Sequence, residues 1–556
     1  MSKVTGNALI SVYDKTGIVE FAQGLIDQGW RVYASGGTAR KIAEAGIAVT
    51  DVAELVGGEA ILGHRVVTLS REVYAGLLAD TNKPEDQEEL SRLGIPLIDL
   101  VCVDMYPLES EIAKPGATTK DVIEQTDIGG PTLLRAAAKG RRIVLSVAAQ
   151  RVRVLEWLMA GKPNEQEFLE ELAAQAEYEV TRYTLTLAKY LNGNTMSGSV
   201  GRLEAKTKYG ENPQQDDAGF YADNRLEVDP LGLDQFTHVQ GMERSYVNMT
   251  DIDRLLQTAT HIAAGFERNF GKVPALAVGV KHGNACGAAV AETVSEAVEK
   301  MLEGDTRAIF GGVVMVNGAI DKEVAQTLLH YAMDSDNSRL LDGVIGSEVT
   351  DEALDILSRK KLRVIVNSAL AGLGENSLDT TRRVRPVRGG SLVQPNYTFV
   401  QDLSAEHMQL HGTFTDQQKQ DLILAWAVGC TSNSNTITLA KNGQLIGNGV
   451  GQQDRVGAGQ LAITRTTTQM PTIEQKGEQL VVTTYLDRQK LEGASAYSDS
   501  FFPFPDGPAL LAQAGVKAIL TSSGSVADEV VVKTLTDVGV SVAMVPDKVG
   551  RGFYAH

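Results

Sequence analysis

Lys281 and His282 stand side by side in "VKHGNACGAAV" (280–290), followed at once by Gly283. An imidazole takes up or releases a proton near neutral pH, and a neighbouring ammonium lowers its pKa by repulsion and keeps it a free base. Adjacent residues on a regular strand point to opposite faces, so both reach one site only where the apolar run "ALAVGV" ends. Gly283 marks that end, and a helix is expected from about Ala291. An isolated His in this setting is more often structural, so the pair needs support from the rest of the chain.

Other stretches suggest anion binding. "YASGGTA" (33–39) places Gly36, Gly37 and Thr38 between a strand and a helix, where uncovered backbone N–H groups cradle phosphate. Lys15 and Thr16, in "SVYDKTG" (11–17) at the end of the preceding strand, are placed to close on the same group. "DIGGPTLLRAAAKG" (127–140) has a second Gly pair ahead of a helix, with Arg135 and Lys139 four apart on one face. "SDSFFPFPDGP" (498–508) brings three Phe into a loop that fits either a packed corner or a flat ring ligand. No P-loop pattern and no zinc-deaminase pattern occurs.

These residues need elements to hold them. Over the first 150 residues, strand-like runs ("ALISVY", "WRVYAS", "IAVTDV", "PLIDLVCVDMY", "RRIVLSVA") alternate with helical ones, which predicts a parallel sheet covered on both faces. A long helix is expected from about Asn164 to Leu191, and "NGNTMSGSVG" (192–201) then breaks every periodicity. That break divides the chain into 1–195 and 196–556. The second part again mixes strand and helix, with a hairpin turn at Asn442–Gly443, and is long enough for two subdomains. No internal repeat is visible in the letters.

Bulk composition narrows the partners. A net charge of −18 repels nucleic acid, so any phosphate bound is small and met by a local pocket. No apolar run approaches the roughly 18 residues of a membrane span, and no basic-then-apolar leader opens the chain. Three separated cysteines (Cys102, Cys286, Cys430) argue for a reducing compartment and against structural zinc. The expectation is a cytoplasmic α/β protein without nucleic-acid or membrane partners and without a metal.

Taken in order, "SVYDKTG", "ASGGTA", "DIGGPTLLRAAAK", "KYGENPQQ", "FGGVV", "RGGSLVQ", "AKNGQLIG", "GQQDRV" and "SDSFFPFPD" resemble one family across essentially the whole chain. It is the bifunctional purine-biosynthesis protein, AICAR transformylase/IMP cyclohydrolase. The resemblance implies a methylglyoxal-synthase-like N-terminal domain, then a transformylase region of two cytidine-deaminase-like subdomains without zinc. It implies formyl transfer from 10-formyltetrahydrofolate to AICAR, closure of FAICAR to IMP, and a homodimer. It assigns no prosthetic group and leaves K⁺ open as a bound ion.

Residue by residue, Lys281 and His282 match the family's catalytic pair, and Asn435 matches its Ser-Asn. Lys208, Tyr209, Asn248, Phe310, Gly311, Asp342, Gln453, Arg455, Phe501 and Asp506 match positions around AICAR. In the cyclohydrolase part Lys15, Ser35, Gly36, Gly37, Thr38, Arg65 and Thr68 match phosphate and ribose contacts, while Tyr106, Asp127 and Lys139 match residues around the closing ring. The chain also departs from the pattern. Where the family has Arg-Val-Lys-Thr-Leu-His-Pro, Val67, Ser70 and Arg71 replace the Lys, His and Pro. Gln214, Ala285 and Asn433 stand for a usual His, Pro and Lys. The alternative expectation is therefore a transformylase whose N-terminal domain is a weak cyclohydrolase or only binds nucleotide.

Overall fold

The computed structural model describes residues 4–555 apart from 63–64, 194, 224–227, 306–307, 334–336, 468–471, 477–478 and 484–486. The chain gathers into two compact units, one of Met1–Gly201 and one holding nearly all of the rest.

In the first unit the apolar runs form β1 (Asn7–Val12), β2 (Arg31–Ala34), β3 (Thr50–Asp51), β4 (Leu100–Asp104) and β5 (Ile143–Leu145). All neighbours are parallel, in the order β3-β2-β1-β4-β5. The strand order reverses between β1 and β4, and the carboxyl ends of two such strands open the crevice where α/β sheets bind ligands. Helix Ile18–Asp27 buries Ile18, Phe21, Ala22 and Leu25, the face its spacing predicts. The long helix runs Glu165–Leu191 and buries Phe168, Leu172, Ala176, Val180 and Tyr183 as one stripe.

The second unit is built on a mixed sheet. Its strands are β6 (Thr237–Gln240), β7 (Ala275–Lys281), β8 (Asn284–Ala291), β9 (Val313–Val316), β10 (Gly343–Gly346), β11 (Arg363–Val366), β12 (Gln409–His411), β13 (Ile437–Lys441), β14 (Gln444–Gly449), β15 (Ser495–Ser498), β16 (Ala518–Ser523) and β17 (Ser541–Pro546). Among the described residues they lie in the order β12-β17-β16-β15-β13-β14-β8-β7-β9-β10-β11-β6.

One design is used twice. β7 and β8 form a hairpin, β9 is antiparallel to β7, β10 and β11 continue parallel to β9, and β6 closes the edge antiparallel. β13 and β14 form the second hairpin, and β15, β16, β17 and β12 repeat those directions. β8 joins β14 antiparallel, so the halves run in opposite senses. Each hairpin follows a buried helix, Tyr246–Phe270 or Asp416–Gly429. These helices meet closely at Gly265, where a Cβ would lie 2.9 Å from the Trp426 ring.

Candidate active sites

Strand direction gathers the chemistry of the second unit at one edge of its sheet. β7 ends there at Lys281, so antiparallel β9 and its parallel neighbour β10 begin there at Val313 and Gly343. β13 begins at the same edge, while β14 and β15 end there. The loops carrying Lys281, His282, Phe310, Gly311, Asp342, Asn435, Gln453, Arg455 and Phe501 therefore share one rim, although they come from both halves.

At the first hairpin the expected geometry needs correcting. The chain does not pass from a strand end through small residues into a helix. It reverses in two residues, His282 (φ 54°) and Gly283 (φ 71°), and continues as β8, with the helix starting at Val294. Positive φ at both central residues is the favoured hairpin turn, and Gly supplies it without a Cβ clash. His282 is exposed and Lys281 half-buried, so neither is sealed in a core. Lys281 Nζ donates to Phe310 O at 2.6 Å and lies 3.7 Å from where a Cβ on Gly311 would sit. A side chain there would make only an ordinary contact with the ammonium; what favours Gly311 is its own left-handed backbone, φ 77°.

Asp251, on the buried helix beneath, accepts from the Gly283 N–H at 2.7 Å. Burial raises its pKa, opposed by that bond and by the charge of His282, while Asp342 adds repulsion. Asp251, His282 and Asp342 therefore share one electrostatic neighbourhood.

From the other half, Asn435 is held at both ends of its amide. Its Nδ2 donates to Gln452 O at 2.9 Å, and its Oδ1 accepts from Arg455 Nη2 at 3.0 Å. Arg455 also donates to Asp499 Oδ1 at 2.9 Å and to Phe501 O at 3.2 Å. Asp499 accepts further from Ser434 Oγ (2.6 Å) and Thr436 N (3.0 Å). Burial holds its pKa above the ordinary carboxylate value in spite of Arg455. The halves are tied directly: Asn433 N donates to Asn284 Oδ1 at 3.3 Å and Asn448 Nδ2 to Ala285 O at 3.1 Å.

Other matched residues sit less centrally. Asn248 is buried with its side chain spent on the capping box of Ser245, one helical turn before Asp251. Gln453 and Asp506 are exposed; Asp506 opens helix Asp506–Gln513. Lys208 and Tyr209 lie on the loop after strand Gly201–Lys206, and among the described residues no hydrogen bond or ion pair joins them to this rim. Of the three Phe in the 498–508 loop, Phe502 is buried in the core, Phe501 is half-buried and Phe504 is exposed.

In the first unit Lys15, Ser35, Gly36, Gly37 and Thr38 gather at the carboxyl ends of β1 and β2. Helix Gly36–Glu44 begins on the Gly pair, with Ser35 as its N-cap. Ser11 and Ser35 hydroxyls meet at 3.0 Å, and Lys15 crosses the turn so closely that a Cβ on Gly37 would lie 3.4 Å from its Cε. Thr38 is buried and its hydroxyl donates to Val12 O at 3.2 Å. Beside this cradle Tyr13 meets Tyr106 edge-on at 5.4 Å. Asp127 accepts from Gly130 N at 2.8 Å, and burial raises its pKa. Burial and the neighbouring Asp127 push the Tyr106 phenol up as well. Thr68 is buried next to Gly129, and exposed Arg65 pairs with Glu124 at 2.5 Å.

Lys139 is set apart. It closes the 11-residue helix Gly129–Lys139, about 15 Å along the axis from Gly129 at 1.5 Å per residue. Val67 packs against the core, Ser70 caps the next helix, and Arg71 is exposed and paired with Glu72.

Sequence reading missed Asp251, Asp499 and Tyr13. Asp251 and Asp499 contact partners tens of residues away, and no local pattern marks them. Tyr13 was within reach of inspection, since it directly follows β1, two residues before Lys15.

A parallel-sheet domain with a helix that begins on a Gly pair, followed by a duplicated mixed sheet with a Lys-His turn on its rim, defines the class. The MGS-like domain family matches residues 17–132 and the AICARFT/IMPCHase bienzyme family matches residues 137–465. A bifunctional purine biosynthesis protein PurH of Anoxybacillus flavithermus is 36% identical over 96% of this chain and 97% of its own. The PurH of Staphylococcus saprophyticus is 35% identical over 94% and 95%. The crystal structure of ForH aligns with 34% of this chain and 100% of that chain at 34% identity, with a TM-score of 0.31. The chain belongs to the AICARFT/IMPCHase bienzyme family, an AICAR transformylase and an IMP cyclohydrolase in one polypeptide. Among the described residues no helix is long and apolar enough to cross a membrane.

Proposed function

We propose that the rim of the second unit transfers the formyl group of 10-formyltetrahydrofolate to the 5-amino group of AICAR, and that the β1/β4 crevice closes the product to IMP. The protein then works in the cytosol as a homodimer, with AICAR, FAICAR and folate as its ligands. In formyl transfer the amine attacks the formyl carbon, a C–N bond forms and the bond to folate N10 breaks. His282 accepts the amine proton and passes it to the departing nitrogen. Lys281 stabilises the negative charge that develops on the formyl oxygen. Arg455 and Asp499 keep the Asn435 amide aimed, because its two ends are already fixed. The aromatic amine is a poor nucleophile, so positioning contributes as much as basicity.

In the crevice, Lys15, Ser35 and the Gly36–Gly37 amides suit a phosphate at the helix start. Tyr106 and Asp127 stand where the ring would close, with loss of water. Ring closure is intramolecular, so a rigid cradle does much of the work.

The bonds that tie the Lys281–His282 hairpin to the half carrying Asn435, from Asn433 N to Asn284 Oδ1 and from Asn448 Nδ2 to Ala285 O, carry this reading. It is tested by supplying AICAR and 10-formyltetrahydrofolate to the wild type and to His282→Ala, and following FAICAR and IMP. His282→Ala is expected to lose about 10²–10⁴-fold in FAICAR formation while still converting supplied FAICAR to IMP. FAICAR that accumulates in the wild type with no IMP above the spontaneous rate would limit the first unit to nucleotide binding.

A further inference from the structure

Residues Gly552–Ala555 are woven into the floor beneath Asn435. Tyr554 has the Cζ of Arg254 at 3.8 Å and that of Arg383 at 3.5 Å from its ring centroid. Two guanidiniums that close cannot share one face of a ring without overlapping, so the phenol is sandwiched between them. Attraction of cations to an aromatic face strengthens where water is excluded, and Arg254 is buried. The Tyr554 hydroxyl donates to Asp253 Oδ2 at 2.8 Å, and burial pushes its pKa up to about 12, so it keeps the proton it donates.

The backbone completes the clasp. Tyr554 N donates to Ser432 O and Ser434 N to Ala555 O, both at 2.9 Å, with Asn433 bridged in parallel to Ala555. Arg254 donates to Thr431 O at 2.7 Å and reaches Asn433 Oδ1 at 3.3 Å, while Arg383 donates to the Tyr554 carbonyl at 2.6 Å. The segment just before Asn435 is thus gripped by Arg254 and by residues 554–555, with the Tyr554 ring wedged between the grips.

We infer that Tyr554 is a positioning residue for formyl transfer: stacked between Arg254 and Arg383, it fixes the Thr431–Ser434 segment and through it the side chain of Asn435. The inference rests on the reading of the rim as the transformylase site. A clasp of this kind acts on turnover in the second unit and leaves chemistry in the first unit alone.

The test uses the full chain and its Tyr554→Ala and Tyr554→Phe variants, with folded protein quantified by circular dichroism. FAICAR formation is assayed from AICAR and 10-formyltetrahydrofolate, and IMP formation separately from supplied FAICAR. Tyr554→Ala is expected to lower kcat for formyl transfer at least about 10-fold per folded protein, with KM for AICAR nearly unchanged. IMP formation is expected to stay within about twofold, and Tyr554→Phe, which keeps the sandwich, within about threefold of wild type in both assays. Wild-type turnover in Tyr554→Ala, an equal loss in Tyr554→Phe, or a matching loss of IMP formation would overturn the inference. Wild-type protein without formyl transfer would instead remove the reading beneath it.

Discussion

The turn at Lys281–Asn284 and the turn at Lys441–Gln444 occupy equivalent places in the two halves of the sheet, at opposite edges. Their backbones agree closely: φ is 54° and 71° at His282 and Gly283, and 55° and 74° at Asn442 and Gly443. Each is latched by an aspartate from the preceding buried helix. Asp251 takes the Gly283 N–H, and Asp421 takes those of Asn442 and Gly443 at 3.0 and 2.7 Å. Each turn also begins with a lysine whose amine reaches backbone carbonyls, Phe310 for Lys281 and Gln489 for Lys441.

The main difference lies at the first central residue, His282 against Asn442, and in what each turn is tied to. The second turn has Asn, which tolerates the left-handed region well, where the first has a proton acceptor. The first turn is tied through Asn284 to Asn433, two residues before Asn435 in the other half. The duplicated scaffold supplies a stiff, latched turn twice, and under the proposed function formyl transfer uses the turn that carries His282.

Substitutions can break or sharpen this comparison. The largest effect is expected from His282→Asn, which gives the first turn the residue of the second. Formyl transfer should fall about 10²-fold or more while the melting temperature holds or rises slightly, as a parallel assay and thermal scan would show.

Next come the latches. Asp421→Asn should cost about 1–3 kcal/mol in chemical denaturation, because one turn N–H loses its acceptor, and leave turnover per folded enzyme unchanged. Asp251→Ala, which removes the acceptor of the Gly283 N–H, should cost a similar amount and also lower kcat, since the same latch holds His282. Equal kinetic effects from both would end the distinction.

The glycines give a finer reading. Alanine at Gly283 meets nothing within 4 Å and should cost about 1–2 kcal/mol from its left-handed backbone alone. Alanine at Gly443 would also lie 2.9 Å from Val290 O, so its loss in denaturant midpoint should be larger. The smallest effect is expected from Asn442→His: stability within about 1 kcal/mol of wild type and no new activity.

Much of the first unit was legible before the structure. Its strands bury both faces and read as continuous apolar runs, and the Gly36–Gly37 cradle and Lys15 are local in sequence. The Lys281–His282 pair was also visible, but the hairpin after it was not. Continuing as "NACGAAVA", its small residues resemble a turn more than a strand, and the bond pairing them to β7 is a tertiary fact. Two subdomains were expected from length and resemblance, but no repeat shows in the letters, because "KHGN" and "KNGQ" share only Lys and Gly, and what repeats is φ and hydrogen bonding. Asp251 and Asp499 could not be found by spacing, since the residues they serve lie 32 to 65 positions away along the chain.

The most direct measurement is a crystal structure of the enzyme with AICAR and a non-reactive folate analogue. The account predicts the AICAR amine within about 3.2 Å of an imidazole nitrogen of His282 and the analogue's reacting end beside Lys281. Density for AICAR at the opposite edge near Lys441, or with its amine turned away from His282, would contradict it.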